Sequence, residues 1–130
     1  MTIDLWMLVA SALLCLAIPY LGLAGLARAP GGMAWGFGNR DVPLAVPAWV
    51  ERVRRAHANM VENLAPFAVL VLVAHVTGRA NGTTAFGAEL FFAGRVAHLL
   101  VYAAGVPVVR TLVFGVAVAG EILILTQLLG

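Results

Sequence analysis

Seven polar residues stand at helical spacings within otherwise apolar sequence. Arg55, Asn59 and Glu62 lie at i, i+4 and i+7, and Arg95, His98 and Tyr102 at i, i+3 and i+7, so each set lines one face of a helix. Arg110 follows in "PVVRT", residues 107–111. Guanidinium, imidazole, carboxamide, phenol and carboxylate groups converging in a medium of low dielectric would form a pocket for an anionic, hydrogen-bonding ligand. The alternative is that Glu62, Asn59 and Arg95 only bind two helices together. Interhelical hydrogen bonds in membranes average roughly 0.6 kcal/mol, a small return for burying ions.

The elements that must position these groups are membrane helices. The chain has 130 residues, 62% of them hydrophobic and 11% charged, with a mean hydropathy of +0.99, far from the composition of a water-soluble domain. A hydrocarbon core about 30 Å thick takes about 20 residues per helix, which limits the chain to one bundle of spans with no separate soluble domain. A formal net charge of +2 with no long basic stripe argues against nucleic acid as a partner. All eight basic residues are arginine, which suits bidentate recognition of carboxylates or phosphates and is equally explained by codon bias. The lone Cys15 excludes an internal disulfide and reads as a small buried hydrophobe.

The hydropathy pattern predicts an all-α membrane protein, a four-transmembrane-helix bundle with spans at about 3–27, 47–76, 84–104 and 108–128. The first span is too long for the apolar region of a cleaved signal and is preceded by Asp4. Pro19 is expected to bend it. Residues 28–46, with four glycines and two prolines, read as a loop. Pro47 suits the first turn of the second span, and Trp49 lies at interfacial depth. Arg28, Arg40, Arg52, Arg54, Arg55 and Arg110 fall on one side against Arg79 alone on the other, so the positive-inside rule places loops 28–46 and 105–107 in the cytoplasm.

Counted inward from that side, Glu62 and Arg95 lie at similar depth, about 12 to 14 Å. An unpaired charge there costs roughly 2.5 to 3.5 kcal/mol on the lenient insertion scale, so a Glu62 and Arg95 ion pair is expected. Pro66 adds to the polar layer by freeing the Glu62 carbonyl. His57, His75 and His98 do not form a haem or metal site, because His75 and His98 belong to opposite ends of the bundle. Glu89 is expected to be solvated near the outer end of its helix. Glu121, in mid-span with no basic residue near it in sequence, must face a polar neighbour or a subunit interface, or be protonated.

"ERVRRAHANMVENLAPF", residues 51–67, resembles the E-R-x-x-R-A-x-x-N-x-x-E-x-x-x-P-F signature of the MAPEG superfamily, membrane-associated proteins in eicosanoid and glutathione metabolism. "GRVAHLLVY", residues 94–102, and "PVVRT" follow in the family's order, and "GNRD" in the first loop is similar to its bacterial branch, near the microsomal glutathione transferases. The resemblance implies a homotrimer that binds glutathione as co-substrate at subunit interfaces. It implies that Arg55, Asn59, Glu62, Arg95, His98 and Tyr102 hold the tripeptide, that Arg110 stabilises its thiolate, that Thr111 stands where some members have serine, and that Arg28 is a further basic contact. Ala58 stands where one mammalian member has a second arginine.

A guanidinium beside a thiol favours the thiolate, the nucleophilic form. The expected function is therefore a glutathione-dependent transferase or peroxidase acting on lipophilic electrophiles or hydroperoxides, in a bacterial inner membrane. The alternative is a non-catalytic member of the same fold that binds a lipid or thiol. A small multidrug exporter of similar length would carry a carboxylate within its first span, and Leu5 to Ala27 has none.

Overall fold

The computed structural model describes residues 1–130, folded as five helices without strands: α1 (Ile3–Ala27), α2 (Gly32–Phe37), α3 (Ala48–Val76), α4 (Gly82–Ala104) and α5 (Pro107–Leu129). The four long helices are each apolar and long enough to cross a bilayer. Their ends depart slightly from hydropathy because capping decides them. Asn81 accepts hydrogen bonds from the Thr83 and Thr84 amides and completes a capping box with Thr84, which starts α4 at residue 82 instead of 84. Pro47 is the cap of α3 and not its first residue, whereas Pro107 occupies the first turn of α5.

The expected loop 28–46 contains a helical segment, α2, which local propensity disfavours because its sequence, GMAWGF, holds two glycines. Contacts from outside the segment hold it. The Trp35 indole donates to the Val42 carbonyl, and the Arg40 guanidinium donates through Nη2 to the Gly36 carbonyl at 3.0 Å.

The loop end of the bundle carries residues 28–47 and the Gly105 turn; the terminal end carries both termini and the turn at 77–81. α1 packs against α3 and α4, and α4 packs most extensively on α5. That last contact is possible because both helices present small residues. A Cβ on Gly87 would lie 2.6 Å from the Gly120 carbonyl oxygen, and one on Gly94 would lie 2.8 Å from the Ala117 amide nitrogen. Between α3 and α4, Phe67 and Phe91 stack with centroids 3.8 Å apart.

A polar clasp closes the terminal end. Asp4, 2% exposed, lies 3.0 Å from His75 Nε2 and accepts from the Thr84 hydroxyl at 3.1 Å. It ties the starts of α1 and α4 to the end of α3. Arg79 donates to the Gln127 and Leu128 carbonyls and fastens the end of α5 to the same turn.

Gly120→Ala should lower the stability of the solubilised protein by about 2 kcal/mol or more, since its Cβ would meet the Gly87 backbone, which cannot turn aside as a side chain can. Gly115→Ala, with open space around the new Cβ, should be neutral or stabilising. Thermal unfolding followed by circular dichroism checks both, and equal midpoints for the two variants would show that α4 and α5 do not pack this closely.

Candidate functional site

Three helices converge on a cavity of about 390 Å³ toward the loop end. α3 supplies Arg55, Ala58, Asn59 and Glu62; α4 supplies His98 and Tyr102; α5 supplies Arg110, Thr111 and Phe114. A neighbouring cavity of about 290 Å³ shares Arg55, Tyr102 and Arg110 with it and adds Arg52 and the turn Gly105–Val106–Pro107. Arg52 donates through Nε to the Ala103 carbonyl at 2.9 Å, so the rim of this cavity is fixed at the last turn of α4.

The residues divide by burial into a rigid back wall and an open front. His98 is buried and meets the Tyr102 ring edge-on, with centroids 5.3 Å apart. The Arg110 guanidinium carbon lies 4.7 Å from the centre of the Tyr102 ring, close enough for a cation–π contact. Arg110 is half-buried, while Arg55, Glu62 and Thr111 are exposed at the open side. Glu62 is the only carboxylate on the lining, against two guanidinium groups. The cavity thus offers cationic and hydroxyl-bearing groups to an anion and one carboxylate to a cationic group of the same ligand.

Of the residues expected from sequence, Arg55, Asn59, Glu62, His98, Tyr102, Arg110 and Thr111 share this cavity. Arg95 lies behind it. Arg28 caps the end of α1, is exposed, and lines neither cavity.

The expected Glu62 and Arg95 ion pair does not form. Arg95 is 2% exposed and donates from Nη1 to Asn59 Oδ1 at 2.8 Å. The reason is angular. The buried stripe of α3 runs through Val53, Ala56, Met60, Phe67, Val71 and Ala74; at about 100° per residue Asn59 flanks that stripe, whereas Glu62 points roughly 145° away from its centre. Equal depth therefore does not bring Glu62 and Arg95 together. The Asn59 carboxamide, with its oxygen held by Arg95, has its NH2 left to offer the cavity.

Arg95 is enclosed between α4 and α5. Its guanidinium lies against the Phe91 and Phe114 rings, at 5.1 and 5.2 Å from their centroids. Glu121 acts on it electrostatically from within coulombic reach. Arg95 Nε and Nη2 and Glu121 Oε1 are buried with no hydrogen-bond partner in the protein. Glu121, open in the sequence, thus lies within coulombic range of Arg95 but forms no salt bridge or hydrogen bond with it. Glu89 is exposed.

Sequence reasoning missed the Asp4, His75 and Thr84 clasp. A carboxylate at one predicted helix end and a histidine at another were its only signals. His57, for its part, approaches the Cys15 sulfur at 3.8 Å on a different face of α3.

Glu121→Leu should destabilise the protein by about 1–2 kcal/mol, because it removes a carboxylate that attracts the buried Arg95 charge from beyond salt-bridge distance. Adding Arg95→Met should recover most of that loss. Chemical denaturation of the two variants checks this, and a Glu121→Leu protein as stable as the wild type would mean that Glu121 does not act on Arg95.

Comparison with curated proteins returns no match. The model of the MAPEG family matches residues 5–130, a span that contains both polar motifs and the Arg110 segment. With four apolar helices and that match over nearly its whole length, the chain belongs to the MAPEG family and is an integral membrane protein with several spans.

Proposed function

We propose that the protein is a membrane-embedded glutathione-dependent transferase or peroxidase, with Arg110 as the group that holds the thiolate. The observation that carries this reading is the meeting of Arg110 with Arg55, Asn59 and Glu62 in one cavity. A zwitterionic, polyanionic tripeptide matches that lining: its carboxylates suit Arg55 and the Asn59 NH2, and its ammonium suits Glu62. Its sulfur would then lie toward Arg110, whose charge favours loss of the thiol proton. Thr111, one residue on, offers a hydroxyl to the same region.

Two reactions follow from a thiolate beside the bilayer. Attack on an electrophilic carbon forms a carbon–sulfur bond and expels the leaving group with its electron pair. Attack on the terminal oxygen of a lipid hydroperoxide breaks the O–O bond, giving the alcohol and a sulfenic acid. A second thiol then condenses with that acid to form disulfide and water.

The open front of the cavity supports assembly as a homotrimer. Glu62 is exposed in mid-span of α3, where exposure to lipid would cost roughly 2.5–3.5 kcal/mol on the insertion scale, and a second copy would cover it. Arg28 of that copy is then free to complete the basic lining. The arginines gathered at the loop end support a bacterial inner-membrane orientation with residues 28–46 and 105–107 facing the cytoplasm.

Arg110→Ala should reduce conjugation of glutathione to chlorodinitrobenzene by about a hundredfold or more, on the scale set by removing one donor that stabilises developing negative charge. Glutathione binding, measured by calorimetry, should remain detectable, and thiolate absorbance in the ultraviolet should disappear. Normal turnover in the variant would remove Arg110 from this role. Binding without turnover in the wild type would identify a non-catalytic thiol-binding member of the family.

A further inference from the structure

The mouth of the thiol pocket carries more positive charge than the chain itself neutralises. Arg52, Arg55 and Arg110 line the cavity of about 290 Å³ that opens beside the pocket, and no carboxylate lines it. The carboxylates nearest in sequence are placed elsewhere: Glu51 pairs with Arg54 at 2.6 Å, and Glu62 lines the neighbouring cavity. Like charges gathered around one space repel one another, and an anion held between them removes that cost.

Arg52 is seated in a fixed position. Its Nε donates at 2.9 Å to the Ala103 carbonyl, one of the last four that the end of α4 leaves without a helical partner. The turn after α4 then lies against the guanidinium, so closely that a Cβ on Gly105 would come within 3.2 Å of its carbon. Gly105 has a φ of 82°, in the left-handed region that suits glycine, and this lets the turn approach. Closing the end of α4 uses Nε alone. Both Nη groups of Arg52 remain without a hydrogen-bonded partner in the chain, beside Arg55 and an Arg110 braced on Tyr102.

The lining selects the ligand. A zwitterionic tripeptide finds no partner for its ammonium here, because Glu62 and Asn59 lie on the other cavity. Three guanidinium forks match a dianion with several oxygens better than a single carboxylate, and phosphate is such an ion. Val106 and Pro107 are the only aliphatic side chains on the wall, so no slot for an acyl chain accompanies the charge. Both belong to the exposed turn that joins α4 to α5, through which an ion in solution can enter.

We propose that this cavity is a binding site for soluble phosphate, as the inorganic ion or a phosphate monoester, with Arg52 as the arginine it does not share with the thiol pocket. Because Arg55 and Arg110 line both cavities, bound phosphate draws them away from a thiolate, and phosphate and glutathione compete. The competition rests on the proposed role of Arg110; the phosphate site does not.

The test titrates inorganic phosphate into the full chain in neutral detergent micelles by calorimetry, without glutathione and against chloride at equal ionic strength. Saturable binding is expected, and Arg52→Gln should weaken it by about tenfold or more, the scale of one charge-assisted hydrogen bond lost. Phosphate at about ten times its own Kd should raise the apparent Kd of the wild type for glutathione roughly tenfold, and that of Arg52→Gln by about twofold or less. A wild type that does not bind inorganic phosphate would overturn the proposal without any variant, and equal binding by a folded Arg52→Gln would overturn the place given to Arg52. Phosphatidic acid in the micelles displacing phosphate at lower concentration would assign the cavity to a lipid headgroup and overturn the soluble ligand. Arg52-dependent phosphate binding by a protein that takes no glutathione would uphold the site and remove the thiol reading, whereas both ligands binding without mutual effect would overturn the competition.

Discussion

Arg95 is a full positive charge held at 2% exposure in the middle of a membrane bundle, and the surrounding helices are arranged around that constraint. A guanidinium cannot lose its proton to escape the cost, so the protein must surround it. Asn59 takes one nitrogen, Phe91 and Phe114 offer their ring faces, and Glu121 lies on α5 within coulombic range without forming an ion pair. Three helices are tied to one another through this side chain. The close approach of α4 and α5, which needs Gly87, Gly94 and Gly120, brings Glu121 within reach of Arg95. Small residues at one contact and a buried ion at another are therefore parts of the same design.

The enclosure of Arg95 between α4 and α5 has a consequence for α3. Because Arg95 does not draw on Glu62, that carboxylate stays on the exposed side of the helix, among the groups that line the cavity. Asn59 stands between the two worlds, with its oxygen on the buried arginine and its NH2 toward the pocket. A ligand contact at Asn59 is in this way backed by a residue that cannot move without exposing a charge to hydrocarbon. The same helix presents a core stripe, a polar wall and, at Val53, Arg54 and His57, a third surface under α2. Three faces on one helix is close to the most that 3.6 residues per turn can separate.

Much of this was legible in the residues, and the failures have definite causes. Hydropathy located the four spans because each is a local property of about 20 residues. Spacing gathered Arg55, Asn59 and Glu62 on one helix and His98 and Tyr102 on another, because residues on one face of a helix share a neighbourhood whatever that neighbourhood is. The pairing of Glu62 with Arg95 failed because depth along a helix was read without azimuth. In a membrane the polar stripe does not reveal which way it faces, since lipid and core are both apolar. α2 was invisible because Trp35 and Arg40 hold it through contacts made only after the chain has turned back. The Asp4 clasp joins residues 71 and 80 positions apart, and no local pattern announces such a pair.

The two ends of the bundle divide the work that stability and function require. At the terminal end most of the polar groups are matched within the chain: Asp4 with His75 and Thr84, Asn81 with Gln127, Arg79 with the last carbonyls of α5. At the loop end the pattern reverses, and Arg55, Glu62 and Arg110 keep their charged groups unpaired by any hydrogen-bonded side chain of the chain. Charged groups left open at the edge of a bilayer carry a continuing cost that a ligand or a second copy can relieve. A bundle locked at one end can bear that cost at the other, because the helices are held in register by contacts that binding does not disturb. The position of Arg110, in the first turn of α5 and braced against Tyr102, combines both conditions: an anchored backbone, and a charge that no carboxylate of the chain takes up.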